Sequence, residues 1–188
     1  NKEDDKCATA HHLDDQAESI LLNLMRGASL SGLTGMQPKR EEFIKPLLFI
    51  QKKQLLDYLK AQDITPREDE SNQESLYQRN KVRNHLIPYM KEHFNENIEE
   101  TLVRMGRLLQ TDLDFLNHVV EKEAKTLIQV NEKSQQIILK KEAFQLDEAI
   151  LSRLILEAIR LIKHNLIDIE EIHVKDIMAL GYKETGKN

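Results

Sequence analysis

The sequence predicts an α/β fold in which a strand-and-helix region over residues 1–94 is joined by one long helix, 95–127, to a small mostly helical domain, 128–188. Three observations carry this. Aromatic residues make up only 5% of the chain, Trp is absent and charged residues reach 31%, a composition that favours helix over aromatic-rich sheets. The short apolar run "KCATA" stops at two histidines directly before an amphipathic repeat, the pattern of a strand feeding a helix. Finally, Ile98, Leu102, Met105, Leu109, Leu116, Val120, Ala124 and Leu127 recur at intervals of three, four or seven, which predicts a helix of about 30 residues and about 45 Å, long enough to bridge domains. A chain of 188 residues can bury one sizeable core, or one compact domain and a smaller one.

The elements follow in order. "KCATA" reads as the end of a buried strand, with Cys7 as a small buried residue of it. Asp15 and Glu18 have the spacing of a capping box, Ala17, Ile20, Leu21, Leu24 and Met25 fall at helical intervals, and Gly27 supplies a stop. "GASLSGLTGM" holds Gly27, Gly32 and Gly35, half of the chain's six glycines, and is expected to be a mobile loop. "EFIKPLLFI" reads as an edge-like strand interrupted by Pro46, and "KKQLLDYLKAQ" as a helix. Ser71 and Glu74 open another helix through a second box, which Pro88 should end or kink within a turn. Beyond the long helix, "QQIILKKEAF" reads as a strand, "DEAILSRLILEAIRLIKHN" as a strongly amphipathic helix and "IEEIHVKDIMAL" as a last short one. No internal repeat or low-complexity tract interrupts them.

Charge and composition limit the function. The net charge of −5 argues against a chain that coats nucleic acid wholesale, yet in "RNKVRNHLIPYMK" Arg79, Lys81, Arg83 and Lys91 meet no acid. The single cysteine excludes an internal disulfide, and no run approaches the roughly 18 apolar residues of a membrane span or the core of a signal peptide. A cytoplasmic protein without membrane attachment is the expectation.

The cluster "HHLDD" admits three readings. Asp14 or Asp15 caps the following helix, which accounts for one aspartate only. Alternatively, His and Asp bind a metal, although the spacing is not that of HExxH and no second ligand cluster stands out. Or these groups serve a nucleotide and its Mg²⁺ at the carboxyl end of a strand, where open α/β sheets place ligands. Arg79 and Arg83, four residues apart, share a helical face and suit either a phosphate or ion pairs with Glu68, Asp69 or Glu70. Arg26 is equally suited to a ligand and to the C-terminal end of a helix dipole. His85, His93, His118, His164 and His173 are scattered and read as ordinary surface or interface residues.

"TAHHLDDQAESILLNLMRG", the glycine segment "LSGLTGM", "IKPLL" and "DESNQESLYQRNKVRNHLIP", in that order and spacing across residues 8–88, resemble the tRNA(Ile)-lysidine synthetases of the N-type ATP pyrophosphatase group. The resemblance implies that residues 1–94 are the C-terminal portion of a catalytic domain, the remnant of a parallel-sheet adenine-nucleotide domain, and that the amphipathic helices around 143–180 belong to a small tRNA substrate-recognition domain. It implies an ATP-dependent carbon-nitrogen ligase that joins L-lysine to C2 of the wobble cytidine of a tRNA(Ile) with a CAU anticodon, through an adenylated intermediate, with ATP and Mg²⁺; a homodimer is compatible with it. Asp15 becomes the candidate essential carboxylate, with His11 as its catalytic neighbour. His12, Asp14 and Arg26 become candidates for nucleotide or substrate binding. Arg79, Asn80 and Arg83 carry the family's YxRNxxR pattern and, with Lys81, become candidates for tRNA or phosphate binding, while Lys39, Arg40, Lys45, Lys52 and Lys53 widen the basic surface; no residue is assigned to a metal. A single cysteine disfavours the sulfur-transferring relatives that need pairs.

The chain departs from the family in one respect: no "SGG" occurs, so the SGGxDS-like loop that holds ATP phosphates is absent. The expectation is that Asn1 falls inside the catalytic domain of a longer protein and that this fragment alone is inactive. Two rivals therefore stand beside lysidine synthesis: a non-catalytic helical RNA-binding or interaction module, and a metal-dependent phosphohydrolase built on HHLDD.

Overall fold

A computed structural model describes residues 5–66, 78–131, 136–163 and 169–182. The chain divides into two compact units, Asn1–Thr111 and Asp112–Asn188. It is a mixed α/β structure, dominated by helix.

In the first unit, β1 (Cys7–Ala8) runs into α1 (Leu13–Met25), and the chain returns through α2 (Leu30–Leu33) to β2 (Lys39–Arg40) and β3 (Phe43–Ile44). The sheet order is β1-β3-β2, with β3 parallel to β1 and antiparallel to β2. Cys7 lies opposite Phe43, and Arg40 opposite Phe43 on the other side. The strand expected at an edge is thus central, because Pro46 falls beyond its last paired residue and removes no ladder bond. Cys7 is exposed rather than buried.

Helix α1 starts one turn before the expected capping box. His12 is the N-cap in extended geometry, its side chain accepts from the Asp15 amide, and the Asp15 carboxylate accepts from the His12 amide. Asp15 therefore occupies the third helical position of a box whose first member is His12, where its charge also suits the helix dipole. The glycine segment is not an open loop. It contains the α2 turn, Asn23 Nδ2 donates to the Gly32 carbonyl, and the Gln16 side chain bonds both backbone groups of Met36.

Helix α3 (Lys52–Ala61) is followed by α4 (Gln78–Lys81), a π-helical turn at Val82–Leu86 and α5 (Ile87–His93). The box Ser71/Glu74 and the acids Glu68, Asp69 and Glu70 lie outside the described residues. Pro88 neither ends this segment nor leaves a donor unmade at its own position. The widened turn, in which Ile87 N–H donates to the Val82 carbonyl, accommodates the proline ring that a regular helix would push against a carbonyl. Leu13, Ala17, Ile20 and Leu21 of α1 pack with Val82, Ile87 and the Leu102–Val103 step of α6 (Ile98–Leu127) into the core of this unit.

Helix α6 has the predicted span, but the two units divide within it, between Thr111 and Asp112. In the second unit its later turns present Val120 to a core completed by Ala143, Leu151, Leu154, Ile155, Val174 and Met178. There, β4 (Ile128–Asn131) and β5 (Gln136–Leu139) form an antiparallel pair, a 3₁₀ turn covers Lys141–Gln145, and α7 (Glu148–Lys163) and α8 (Glu171–Tyr182) follow. The expected strand and both amphipathic helices are present; β4 is additional, its pairing supplied by β5. Among the described residues no helix is long and apolar enough to cross a membrane.

Candidate functional site

The first turns of α1 meet α4 and the π-helical turn in a cluster of charges. Glu18, on the second turn, is 1% exposed. Its Oε2 accepts from Arg79 Nε at 2.7 Å and Arg83 Nη2 at 3.0 Å, and its Oε1 from Arg83 Nε at 2.6 Å. Asp15, one turn earlier, accepts at Oδ1 from Nη2 of both Arg79 (3.1 Å) and Arg83 (2.9 Å), while its Oδ2 takes the His12 amide at 3.0 Å. Two carboxylates thus hold two guanidiniums in a charge-assisted network, a role for which arginine is better suited than lysine. The Glu18 hydrogen bond is the main reason the Arg83 guanidinium is pushed above its ordinary range, with burial opposing it.

The four-residue interval does bring Arg79 and Arg83 to one face. Their acids come from α1, not from the segment before them, so the basic run is less unopposed than its sequence suggests. Lys91 is likewise paired, with Glu99, whose hydrogen bond raises the lysine above its usual range. The arginine side chains nevertheless keep 38% and 29% of their surface, against 12% for Asp15. They face a cleft of about 520 Å³ that also borders His11, His12, Lys52 and Asn80.

Within HHLDD, the His12 ring lies between the two aspartates, 3.8 Å from Asp14 Oδ1 and 3.4 Å from Asp15 Oδ2. His11 Nδ1 is 2.9 Å from the Thr9 hydroxyl, and His12 caps α1. Asp14 Oδ1 accepts from the Lys52 amide at 3.2 Å and so caps the first turn of α3. His12, Asp14 and Asp15 are thus neighbours, but among the described residues no group of three or more His, Cys, Asp or Glu side chains is arranged to hold a metal ion. Asp14 instead borders a smaller cavity of about 230 Å³ with Glu18, Lys52, Arg83, Lys91 and Glu99, where charges of both signs alternate.

Of the residues singled out in the sequence, His11, His12, Asp15, Asn80, Arg79 and Arg83 come together around the cleft. Arg26 and Lys81 do not; they border a separate cleft with Met25 and Tyr89. Lys39 and Arg40 form the exposed strand β2. Glu18 and Lys52 belong to the site although the sequence reading gave Glu18 a capping role and Lys52 only a share of the basic surface. The usable signal for Glu18 was a carboxylate three residues after Asp15, on the same helical face.

Comparison with known proteins adds a second line of observation. Residues 2–90 match the family model described as a PP-loop domain. The chain is 39% identical over 184 residues to the tRNA(Ile)-lysidine synthase of Clostridium tetani, covering 97% of this chain and 39% of that protein. It is 39% identical over 187 residues to the enzyme of that name from Clostridium perfringens, with 97% and 39% covered. The Clostridioides difficile protein is 35% identical over 176 residues, covering 93% of this chain and 38% of its own length. The chain spans about two fifths of the length of the curated relatives it matches.

Proposed function

We propose, from the match to a PP-loop domain and to tRNA(Ile)-lysidine synthases over 97% of the chain, that the chain belongs to that family and is part of an ATP-dependent carbon-nitrogen ligase that builds lysidine on the wobble cytidine of a tRNA(Ile). The observation that carries the reading is the Asp15–Glu18–Arg79–Arg83 network, open to a cleft where β1 hands over to α1. Ligands of open α/β sheets lie at the carboxyl ends of strands.

The chemistry has two steps. Cytidine O2 attacks the α-phosphorus of ATP and pyrophosphate leaves, so that a poor oxygen leaving group becomes AMP. The lysine ε-amine then attacks C2, the C2–O bond breaks, AMP departs and the nitrogen loses a proton. Negative charge passes through phosphate oxygens in both steps, and the solvent-facing sides of Arg79 and Arg83 suit those oxygens as fixed donors. Asp15, buried but on the wall of the cleft, is the group suited to orient the amine. Glu18 is too buried to touch a substrate and acts as a positioning residue through both arginines. Asp14, Glu99, Lys52 and Lys91 around the smaller cavity offer the opposite charges an amino-acid zwitterion requires. Mg²⁺ suits ATP phosphates with few protein ligands; the described residues form no dedicated cage for it. Residues 128–188 are the proposed contact with the tRNA body. The match to tRNA(Ile)-lysidine synthases over 97% of the chain weighs against the phosphohydrolase reading.

The test is Asp15→Asn in the full-length protein. Asn retains an oxygen for the His12 amide but not the charge that faces Arg79 and Arg83, so the variant should fold with a modestly lowered melting temperature. Lysine incorporation into a tRNA(Ile) transcript should fall by orders of magnitude. Near-normal turnover would overturn the assignment.

A further inference from the structure

A second cleft of the first unit, about 650 Å³ in volume, lies between the end of α1 and the segment from α4 to α5. Buried Val82 lies at its floor beside Leu86, and exposed Met25, Arg26, Lys81 and Tyr89 border it together with Gln78 and His85. Among the described residues no acidic side chain borders it, and none pairs with Arg26 or Lys81. This separates it from the acid-bearing cleft around Asp15.

Tyr89 does not close into the core. It is 54% exposed and tilts against His93 with ring centroids 4.4 Å apart, while Phe94, 75% exposed, meets it edge-on at 6.0 Å. Three adjoining rings turned to solvent are costly for a surface with no partner. An apolar slot with an aromatic wall and cations at its rim is matched by a flat heteroaromatic base on a phosphodiester chain. Bases stack on such rings whatever their identity, while the cations follow the backbone. A hydrophobic peptide would match the floor but leave the cations without counter-charges.

We propose that this cleft and its aromatic cluster are a subsite for unpaired nucleotides of an RNA loop, one base lying against Tyr89 with adjoining phosphates at Arg26 and Lys81. The proposal rests on the tRNA reading above and adds a contact surface outside the Asp15 cleft. A paired helix would not fill it, since its bases are already stacked on each other.

The experiment measures binding of the full-length protein to a fluorescent anticodon stem-loop RNA with a CAU loop, and to a blunt RNA duplex of equal length. Tyr89→Ala and Tyr89→Leu should weaken stem-loop binding about five- to a hundredfold, and Tyr89→Phe by less than about threefold, with the duplex unaffected. Arg26→Gln with Lys81→Gln should flatten the slope of log affinity against log salt by about 0.7 per lost single-strand phosphate contact. The exposure of Tyr89 makes unchanged melting temperatures the expected control. Stem-loop binding at wild-type strength by both Tyr89→Ala and Tyr89→Leu would overturn the subsite, as would equal losses on the duplex. If those variants bound normally while wild-type protein still formed lysidine, the subsite alone would fall; if the wild-type protein bound neither RNA, the tRNA reading would fall with it.

Discussion

Glu18 shows how one residue can serve the fold and the site together. Its carboxylate is 1% exposed and answers two guanidiniums, so its removal takes away the group that both Nε atoms face and leaves Asp15 to answer both cations. Deleting one partner of a buried pair costs more than the pair contributes. Because both arginines keep solvent contact, Glu18→Ala should lower stability by about 2 to 4 kcal/mol, somewhat below the fully buried case. Glu18→Gln should cost less in a denaturant titration but still depress lysine incorporation, because a neutral amide cannot hold both forks. A Glu18→Gln protein with normal turnover would remove Glu18 from the site. The sequence made Asp15 conspicuous and Glu18 not, since its three-residue spacing from Asp15 is also that of a capping box. The groups that bury it are 61 and 65 residues away, a separation local patterns do not register. His12 was hidden for a related reason: an imidazole is an uncommon helix cap, and the aspartates beside it are common ones.

Among the elements, the long helix was legible to its last residue because its stripe is local and periodic. The sheet was not, because the position of β3 between β1 and β2 depends on pairing with distant strands. The glycine segment was misread because its composition signals freedom while its contacts are made by side chains of the preceding helix. Two of its glycines can be told apart by experiment. Gly27 and Gly35 both have left-handed backbone, at φ of +70° and +76°. A Cβ at Gly27 meets nothing, whereas one at Gly35 would come within 2.8 Å of Gln16 Oε1. Gly27→Ala should therefore cost about 1 kcal/mol from backbone strain alone. Gly35→Ala should cost more, about 2 to 3 kcal/mol, because it also displaces the amide that ties Met36 to α1. Equal midpoints in urea for the two variants would mean that the Gln16 bonds do not hold the segment.

At the scale of the molecule, the sequence reading made residues 95–127 a linker, whereas the two compact units meet inside that helix. Leu102 and Val103 are 8% and 4% exposed in the first core, and Val120 is 6% exposed in the second. A helix whose opposite ends are built into different cores cannot be trimmed freely. Ending the full-length protein after Asn97 would strip Leu102 and Val103 from the first core, each loss comparable with a large-to-small core substitution of about 2 to 5 kcal/mol. Ending it after Thr111 leaves that core whole. The shorter form should melt well below the longer one, or fail to fold. The Thr111 form is then the proper test of the proposed division of labour between chemistry in the first unit and tRNA recognition from residue 128 onwards. It should release pyrophosphate at a reduced rate with a minimal CAU stem-loop and lose discrimination between isoleucine and methionine tRNAs that share that anticodon. If the folded Thr111 form separated the two full tRNAs as well as the intact protein does, recognition would reside in the first unit and the second would be a scaffold.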